Sequence, residues 1–387
     1  MRTAWKDAKL SASVLAIAAA CYWAVPAVRA AEWHIETVDQ SGSGQFTSMK
    51  IDTFGNLHVA YIPDTAGHPL KYAFWDHQLK RWFTMTVAHI ASFCTLTLDS
   101  KQHPHISFAD HGTGLGARLR HAWWNGETWH VDPITVQAGA VVAYFTSIVL
   151  DRNDSPILSY YDYADPGGNF RLRMRTVFWR GNYWEAETVD PQGGSGKFNC
   201  LAMDSKGRPQ LAYANVRYES AGLRYAVWDG QAWKTEIVEA GTIFSVSMVL
   251  DKNDTPHIAY IQPEKRLVEY ATQIGGKWKT EVVASIRKEA YPDRNGIAID
   301  SHGTPYISYF DAGTGTLILA YRKNGKWWRE VVDQNYAGIT SSIGIDQDTI
   351  WISYADDLGG SFKVASRPLE QSGISPQQNS FSTSKVK

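Results

Sequence analysis

The stretch from Phe198 to Val238 holds four short runs in which apolar and polar residues alternate: "FNCLAMD", "PQLAY", "LRYAVWD" and "WKTEIV". Alternation over five to seven residues predicts β-strands, and the turn-rich segments between the runs leave no room for a helix. We label the four runs A to D. The pattern returns about every fifty residues, a period typical of repeat architectures. Its marker is a phrase that opens on aspartate and closes on an aromatic residue. It reads "DTFGNLHVAY" at Asp52, "DSKQHPHISF" at Asp99, "DRNDSPILSY" at Asp151, "DSKGRPQLAY" at Asp204, "DKNDTPHIAY" at Asp251 and "DSHGTPYISY" at Asp300, with a shortened "DQDTIWISY" at Asp346. Seven repeats of four short strands predict an all-β fold, a seven-bladed β-propeller of four-stranded antiparallel blades.

Strand A carries the detail expected of a hub. Counting back from the phrase's aspartate, the fourth residue is Ser48, Thr95, Ser147, Cys200, Ser247, Gly296 or Ser342, and the third is Met49, Leu96, Ile148, Leu201, Met248, Ile297 or Ile343. One face is small and the other large, so strands converging on an axis can pack slim side to bulky side at native density. The aspartate ends strand A and is expected to accept hydrogen bonds from the amides of its own turn. An acid required in every blade is required by the blade, so these seven are read as scaffold. Arg120 with Asp132, Arg175 with Glu187, and Arg224 with Glu236 are expected to pair across the C–D hairpins, each worth roughly 0.2–1 kcal/mol.

The two ends predict how the ring shuts. "WHIETV" from Trp33 is a strand D with no A, B or C before it, and the last copy stops at strand C, "FKVAS" from Phe362. The N-terminal strand should complete the seventh blade and leave no open edge. Ahead of it, Arg2, Lys6 and Lys9 precede an apolar run, "LSASVLAIAAACYWAV", and "AVRA" ends at Ala30, the pattern of an export signal. Acylation at Cys21 is the alternative. The expected organisation is therefore a signal peptide over 1–30, the propeller over 31–367, and a polar, Ser/Gln-rich tail over 368–387 that cannot bury enough to order itself.

Composition narrows the partners. With 38 Lys and Arg against 39 Asp and Glu the net charge is −1, which argues against nucleic acid or an anionic membrane. The apolar run at the start is interrupted by Tyr22, Trp23 and Pro26, so no membrane span is expected. Besides Cys21 only Cys94 and Cys200 remain, at different offsets in copies that are not neighbours, and no disulfide is expected. Packing must hold the molecule, and 16 Trp and 19 Tyr supply it. The chain is read as a monomer.

In a propeller the D–A and B–C connections share one face and the A–B and C–D turns the other. Here the second face has short repeated turns and reads as structural, while the first has the variable loops where function concentrates. Strand B ends on that first face with Asp110, Asp162, Asn215, Gln262, Asp311 and Asp356. The start of strand A gives Phe46, Phe93, Phe145 and Phe198, replaced elsewhere by Ser245, Arg294 and Thr340. A rim of acids and amides around a partly aromatic funnel suits carbohydrate, whose apolar faces lie on rings and whose hydroxyls bond carboxylates and amides. The competing reading is that the rim acids cap their own Gly-rich turns and the Phe rings plug the ring. Departures from the repeat are further leads: His111, Tyr163, Tyr218, Tyr291, and Arg294, a cation placed to meet a carboxylate. No metal site is indicated, since His105 and His111 lie at opposite ends of a strand, roughly 20 Å apart. Calcium on the loop-rich face is left open, and no cofactor is expected.

The blades resemble those of the BNR/sialidase-like propellers over nearly all the chain. The sialidase Asp-box, Ser-x-Asp-x-Gly-x-x-Trp, is absent, which argues against sialidase activity. Blade one, "DTFGNLHVAYIPDTAGHPLKYAFW", resembles the BNR-repeat family that includes propeller polysaccharide lyases. That resemblance implies His68 as a proton-transfer group, with a Tyr and an Arg across the funnel. Three readings follow. The first is an exported module for glycan or another surface polymer. The second is a polysaccharide-active enzyme, lyase before hydrolase, using His68 or His111, Tyr163 or Tyr218, and Arg294. The third is a protein-interaction platform. The binding module is preferred because no complete catalytic set is found.

Overall fold

The computed structural model describes residues 29–30, 32–110, 118–136, 139–140, 143–162, 173–191, 194–217, 220–288 and 294–369. They form seven antiparallel blades with the four strands of each in the order A–B–C–D, and a separate two-stranded ribbon of Thr135–Val136 with Gly139–Ala140. Blades 1 to 6 come from 45–88, 92–133, 143–190, 195–240, 244–285 and 296–333, and blade 7 takes its first three strands from 337–368. Its strand D is His34–Asp39, which pairs with Ser361–Pro368 so that His34 faces Ser366 and Asp39 faces Phe362. The ring is closed by the N-terminal strand, as the two incomplete ends predict. Tyr61 stacks on Phe362 at 4.2 Å across this junction. Gly44 has to be glycine there, with φ +75 and the Phe362 ring 2.6 Å from where its Cβ would stand. Arg29–Ala30 runs parallel to the outer strand of blade 6, as a fifth strand. No helix among the described residues is long and apolar enough to cross a membrane.

The small face of strand A is small because it must reach the next blade. Ser342 Oγ accepts from Met49 N at 3.1 Å, Ser48 Oγ from Leu96 N at 3.0 Å, and Ser147 Oγ from Leu201 N at 3.0 Å. Cys200 and Ser247 donate instead, to the carbonyls of Met248 and Asn295. Each link joins one blade to the following one, and each contributes about 0.5–1.5 kcal/mol net. Cys94 and Cys200 are free thiols, as expected.

The repeated aspartate is a turn cap in every copy. Asp52 accepts from the amides of Phe54 and Asn56, Asp99 from Lys101 and His103, Asp151 from Asn153 and Ser155, and Asp204 from Lys206 and Arg208. Asp251, Asp300 and Asp346 do the same in their blades. The third residue of the six full-length turns has positive φ (Gly55, Gln102, Asp154, Gly207, Asp254, Gly303), which is why glycine recurs there. Burial pushes the carboxyls of Asp52, Asp204 and Asp251 up, but these hydrogen bonds outweigh it and hold them below the ordinary aspartate value.

The aromatic that closes the phrase packs between blades. Tyr61, Tyr213 and Tyr354 donate their hydroxyls to Asp39, Asp190 and Asp333, which end strand D of the preceding blade. The C–D pairs differ from expectation. Arg120 faces Pro133, Arg175 faces Thr188 and Arg224 faces Ile237. A one-residue offset in register puts the anticipated acids on the opposite face. Arg120 and Arg175 pair instead with Asp110 and Asp162 on strand B, while Asp132 and Glu281 accept indole N–H bonds from Trp123 and Trp327.

Candidate functional site

At the mouth of the axis, Phe46, Phe93, Phe145 and Phe198 sit at φ 52, 52, 50 and 49, a region few non-glycine residues adopt. Each lies where strand A slips register against strand B. This bulge brings the rings together, with centroids 4.7, 4.4 and 4.7 Å apart around the ring. In blade 5 the bulged residue is Ser245, yet the chain of rings continues through its neighbour Phe244, 4.7 Å from Phe198. The cavity that four of these rings line measures about 30 Å³, room for one water and no sugar. Arg294 reaches it, donating from Nη1 to the carbonyls of Thr47 at 3.3 Å and Cys94 at 3.0 Å. Burial pulls its pKa below the usual guanidinium range. Among the described residues the funnel is plugged, and Arg294 ties its strands together.

The rim acids are occupied as well. Asp110 receives Arg120 at 2.9 Å, Asp162 receives Arg175 at 3.4 Å, and Asp356 receives Lys363 at 2.7 Å. Asn215 caps Arg217 N and Asp311 caps Gly313 N within their own turns. Gln262 is buried with no partner for its Nε2 among the described residues. His68 stands on the blade 1 B–C loop, 3.8 Å from Asp64, with both side chains more than half exposed, at 56% and 58%. It does not line the cavity that Arg294 reaches. His111, Tyr163, Tyr218 and Tyr291 lie outside the described residues.

A far larger cavity, about 640 Å³, opens at the seam of blades 2 and 3 between A–B and C–D turns, on the face that the short repeated turns mark as structural. Trp123, Trp179 and Tyr183 line it with Asp132, Asn153 and Asn182, over a floor of His105 and His121. Two local features open it. Strand D of blade 2 is short, Trp129–Pro133, with one further bond from Ile134 N to the Leu119 carbonyl at 3.1 Å. Strand C of blade 2 carries His121 where blades 1, 4 and 5 carry Tyr72, Tyr225 and Tyr270. Those tyrosines meet a tryptophan of the next blade edge-on at 5.2, 5.0 and 5.4 Å. The shorter His121 lies 6.2 Å from Trp184, and the seam stays open.

His121 Nε2 and His105 Nδ1 are 3.0 Å apart, a geometry that places one proton between two neutral imidazoles. Burial lowers the pKa of both, that of His121 well below the ordinary value, with His105 adding to it. Trp123 stacks on His130 at 4.4 Å and is fixed by its indole bond to Asp132. Tyr183 remains 54% exposed. The groove thus offers flat, positioned rings beside carboxylate and amide groups. None of these residues stands out in the sequence except through the Tyr-to-His change in strand C. A related cavity of about 520 Å³ lies at the seam of blades 4 and 5, where Tyr225 is present and half of the lining residues are charged.

No family model and no curated protein matches this sequence. Solved structures share its fold. An ulvan lyase described as a new family of polysaccharide lyase gives a TM-score of 0.58 at 11% identity, over 86% of this chain and 95% of that one. AofleA from Arthrobotrys oligospora gives 0.52 at 15%, over 78% and 89%. The alpha-L-arabinanase of Penicillium chrysogenum, complexed with arabinobiose, gives 0.50 at 11%, over 86% and 97%. At such identities the likeness is one of fold alone, the β-propeller architecture described above.

Proposed function

We propose that this protein is an exported propeller that binds glycan in the groove between blades 2 and 3. One observation carries the reading: Trp123, Trp179 and Tyr183 share a cavity of about 640 Å³ with Asp132, Asn153 and Asn182. Ring faces take the apolar faces of a sugar, and the carboxylate and amides take its hydroxyls. The basic and apolar start of the chain supports export. That an ulvan lyase and an arabinanase share the architecture supports the same ligand class. Binding is preferred to turnover because His68 and Arg294, the described members of the His–Tyr–Arg set, stand at an exposed loop and beneath the Phe rings.

The test is retention on a panel of insoluble and arrayed polysaccharides, with the supernatant followed for unsaturated products. Wild type is expected to bind at least one polymer without releasing product. Tyr183→Ala removes an exposed ring, leaves stability unchanged, and weakens binding about tenfold, the equivalent of roughly 1.4 kcal/mol. Failure of wild type to bind any polymer, or a variant that binds as wild type does, sinks the reading.

A further inference from the structure

The residue of strand C that faces the phrase-closing aromatic is Lys71, Arg120, Arg175, Arg224 or Lys363 in five blades, but Glu269 in blade 5 and Ile318 in blade 6. In blades 1 and 7, where the preceding strand D ends in a carboxylate, this cation completes a closed unit. Asp39 accepts Tyr61 OH and Lys71 Nζ, both at 2.6 Å, and Asp333 accepts Tyr354 OH at 2.8 Å with Lys363 Nζ at 3.5 Å. At the seam of blades 4 and 5 the unit is broken. Strand D of blade 4, Trp233–Ala240, supplies Glu239 and strand B of blade 5, Pro256–Gln262, supplies Tyr260, but the third member, Glu269, is a second carboxylate.

Three atoms of this cluster have no partner among the described residues: Tyr260 OH, Gln262 Nε2 and Glu269 Oε2. Their side chains belong to residues only 0%, 2% and 6% exposed. The described cation that approaches is Lys265, 3.9 Å from Glu239 and itself 54% exposed. Burial, and behind it Glu239, pushes the Glu269 carboxyl up to about 7. A buried carboxylate without a compensating charge costs several kcal/mol, so a sequence that replaces the cation by an acid calls for a proton or another cation in its place.

We propose that a hard divalent cation of the calcium class takes the place that Lys71 and Lys363 fill in blades 1 and 7, held by Glu239 and Glu269. Oxygen ligands are what such ions select, and Gln262, two residues along strand B from Tyr260 and so on the same face, carries an amide whose O and N can exchange by a flip to offer a neutral oxygen. The site lies among the blade 4–5 strands, apart from the blade 2–3 groove, and its occupancy does not depend on the glycan reading.

The experiment is a calcium titration of the chelator-treated full chain, read by melting temperature and by terbium luminescence sensitised through the neighbouring aromatics. Wild type is expected to gain thermal stability with added calcium and to light one terbium ion that calcium displaces. Glu269→Gln is expected to weaken the affinity at least tenfold. Glu269→Lys restores the repeat's own cation and is expected to fold with a melting temperature indifferent to calcium and chelator. A wild-type melting temperature that ignores calcium, magnesium and chelator overturns the proposal, leaving a proton on Glu269 as the compensating charge. A calcium response that survives in Glu269→Lys overturns it equally.

Discussion

The axial funnel and the blade 2–3 groove are both walled by aromatic rings, and they end in opposite states. In the funnel Phe46, Phe93, Phe145 and Phe198 occupy matching places in four successive blades, Phe244 extends the row from beside the blade 5 position, and the rings touch one another, leaving about 30 Å³. In the groove the tyrosine of blades 1, 4 and 5 has become His121, strand D is short, and about 640 Å³ stays open. A residue that recurs from blade to blade is consumed by the ring it builds. The groove accompanies a departure from the tyrosine of blades 1, 4 and 5, and a departure from the recurring cation sets Glu269 apart. Substitutions at recurring positions should therefore lower stability and spare binding, and substitutions at departures should do the reverse.

The strongest break on the scaffold side is Lys363→Met. Lys363 Nζ lies 2.7 Å from Asp356 and 3.5 Å from Asp333, both buried. Removing the cation strands two carboxylates and is expected to cost about 3–5 kcal/mol, read by urea unfolding, with glycan retention of the folded protein unchanged. A cost below about 1 kcal/mol would show that water screens the site.

Asp204→Ala comes next, at about 1–3 kcal/mol, since the carboxylate caps Lys206 N and Arg208 N and meets Arg208 Nε at 2.8 Å. The sign with pH follows from its lowered pKa: the contribution is complete above the unfolded value near about 4 and is lost as pH falls through the folded one. Acid titration of stability for Asp204→Asn should accordingly be flatter than wild type below about pH 4. An identical acid profile would mean that the capped turn does not survive in solution.

The scaffold was legible in the residues because it is written seven times. The small face of strand A, the capping aspartate and the incomplete ends each recur or complement one another, so a misreading in one copy is corrected by the next. The C–D ion pairs were misplaced because pairing depends on register, and the continuous blade 2 ladder sets Asp132 opposite His121 and Arg120 opposite Pro133, leaving the Asp132 carboxylate to the Trp123 indole. The groove was hidden for a different reason. Trp123 and Trp179 look like ordinary members of strand C and Tyr183 like part of a C–D turn, and the opening between them goes with His121 failing to reach Trp184, a distance no periodicity contains. The rim acids were visible but their engagement was not, since Arg120 and Arg175 turn toward them only in three dimensions.

His121→Tyr brings the comparison to a single residue and is expected to change stability least. Tyrosine restores the pattern of blade 1, where Tyr72 OH bonds His58 Nδ1 at 2.6 Å, and the groove has room for the larger ring. The cost should stay within about 1.5 kcal/mol. Binding is a different matter, because the new ring fills the space above His105 and closes toward Trp184, so glycan retention should fall at least tenfold. The variant also has a signature in pH. Burial holds His121 neutral in the folded state, so its contribution is complete above the unfolded value near about 6.5 and is lost as pH falls through its lowered folded value. With tyrosine in its place, melting temperature should decline less steeply as pH falls from about 6.5 to 4. Unchanged retention with a flatter pH profile would separate the two roles, leaving His121 as a buried base of the scaffold and moving the ligand site out of the groove.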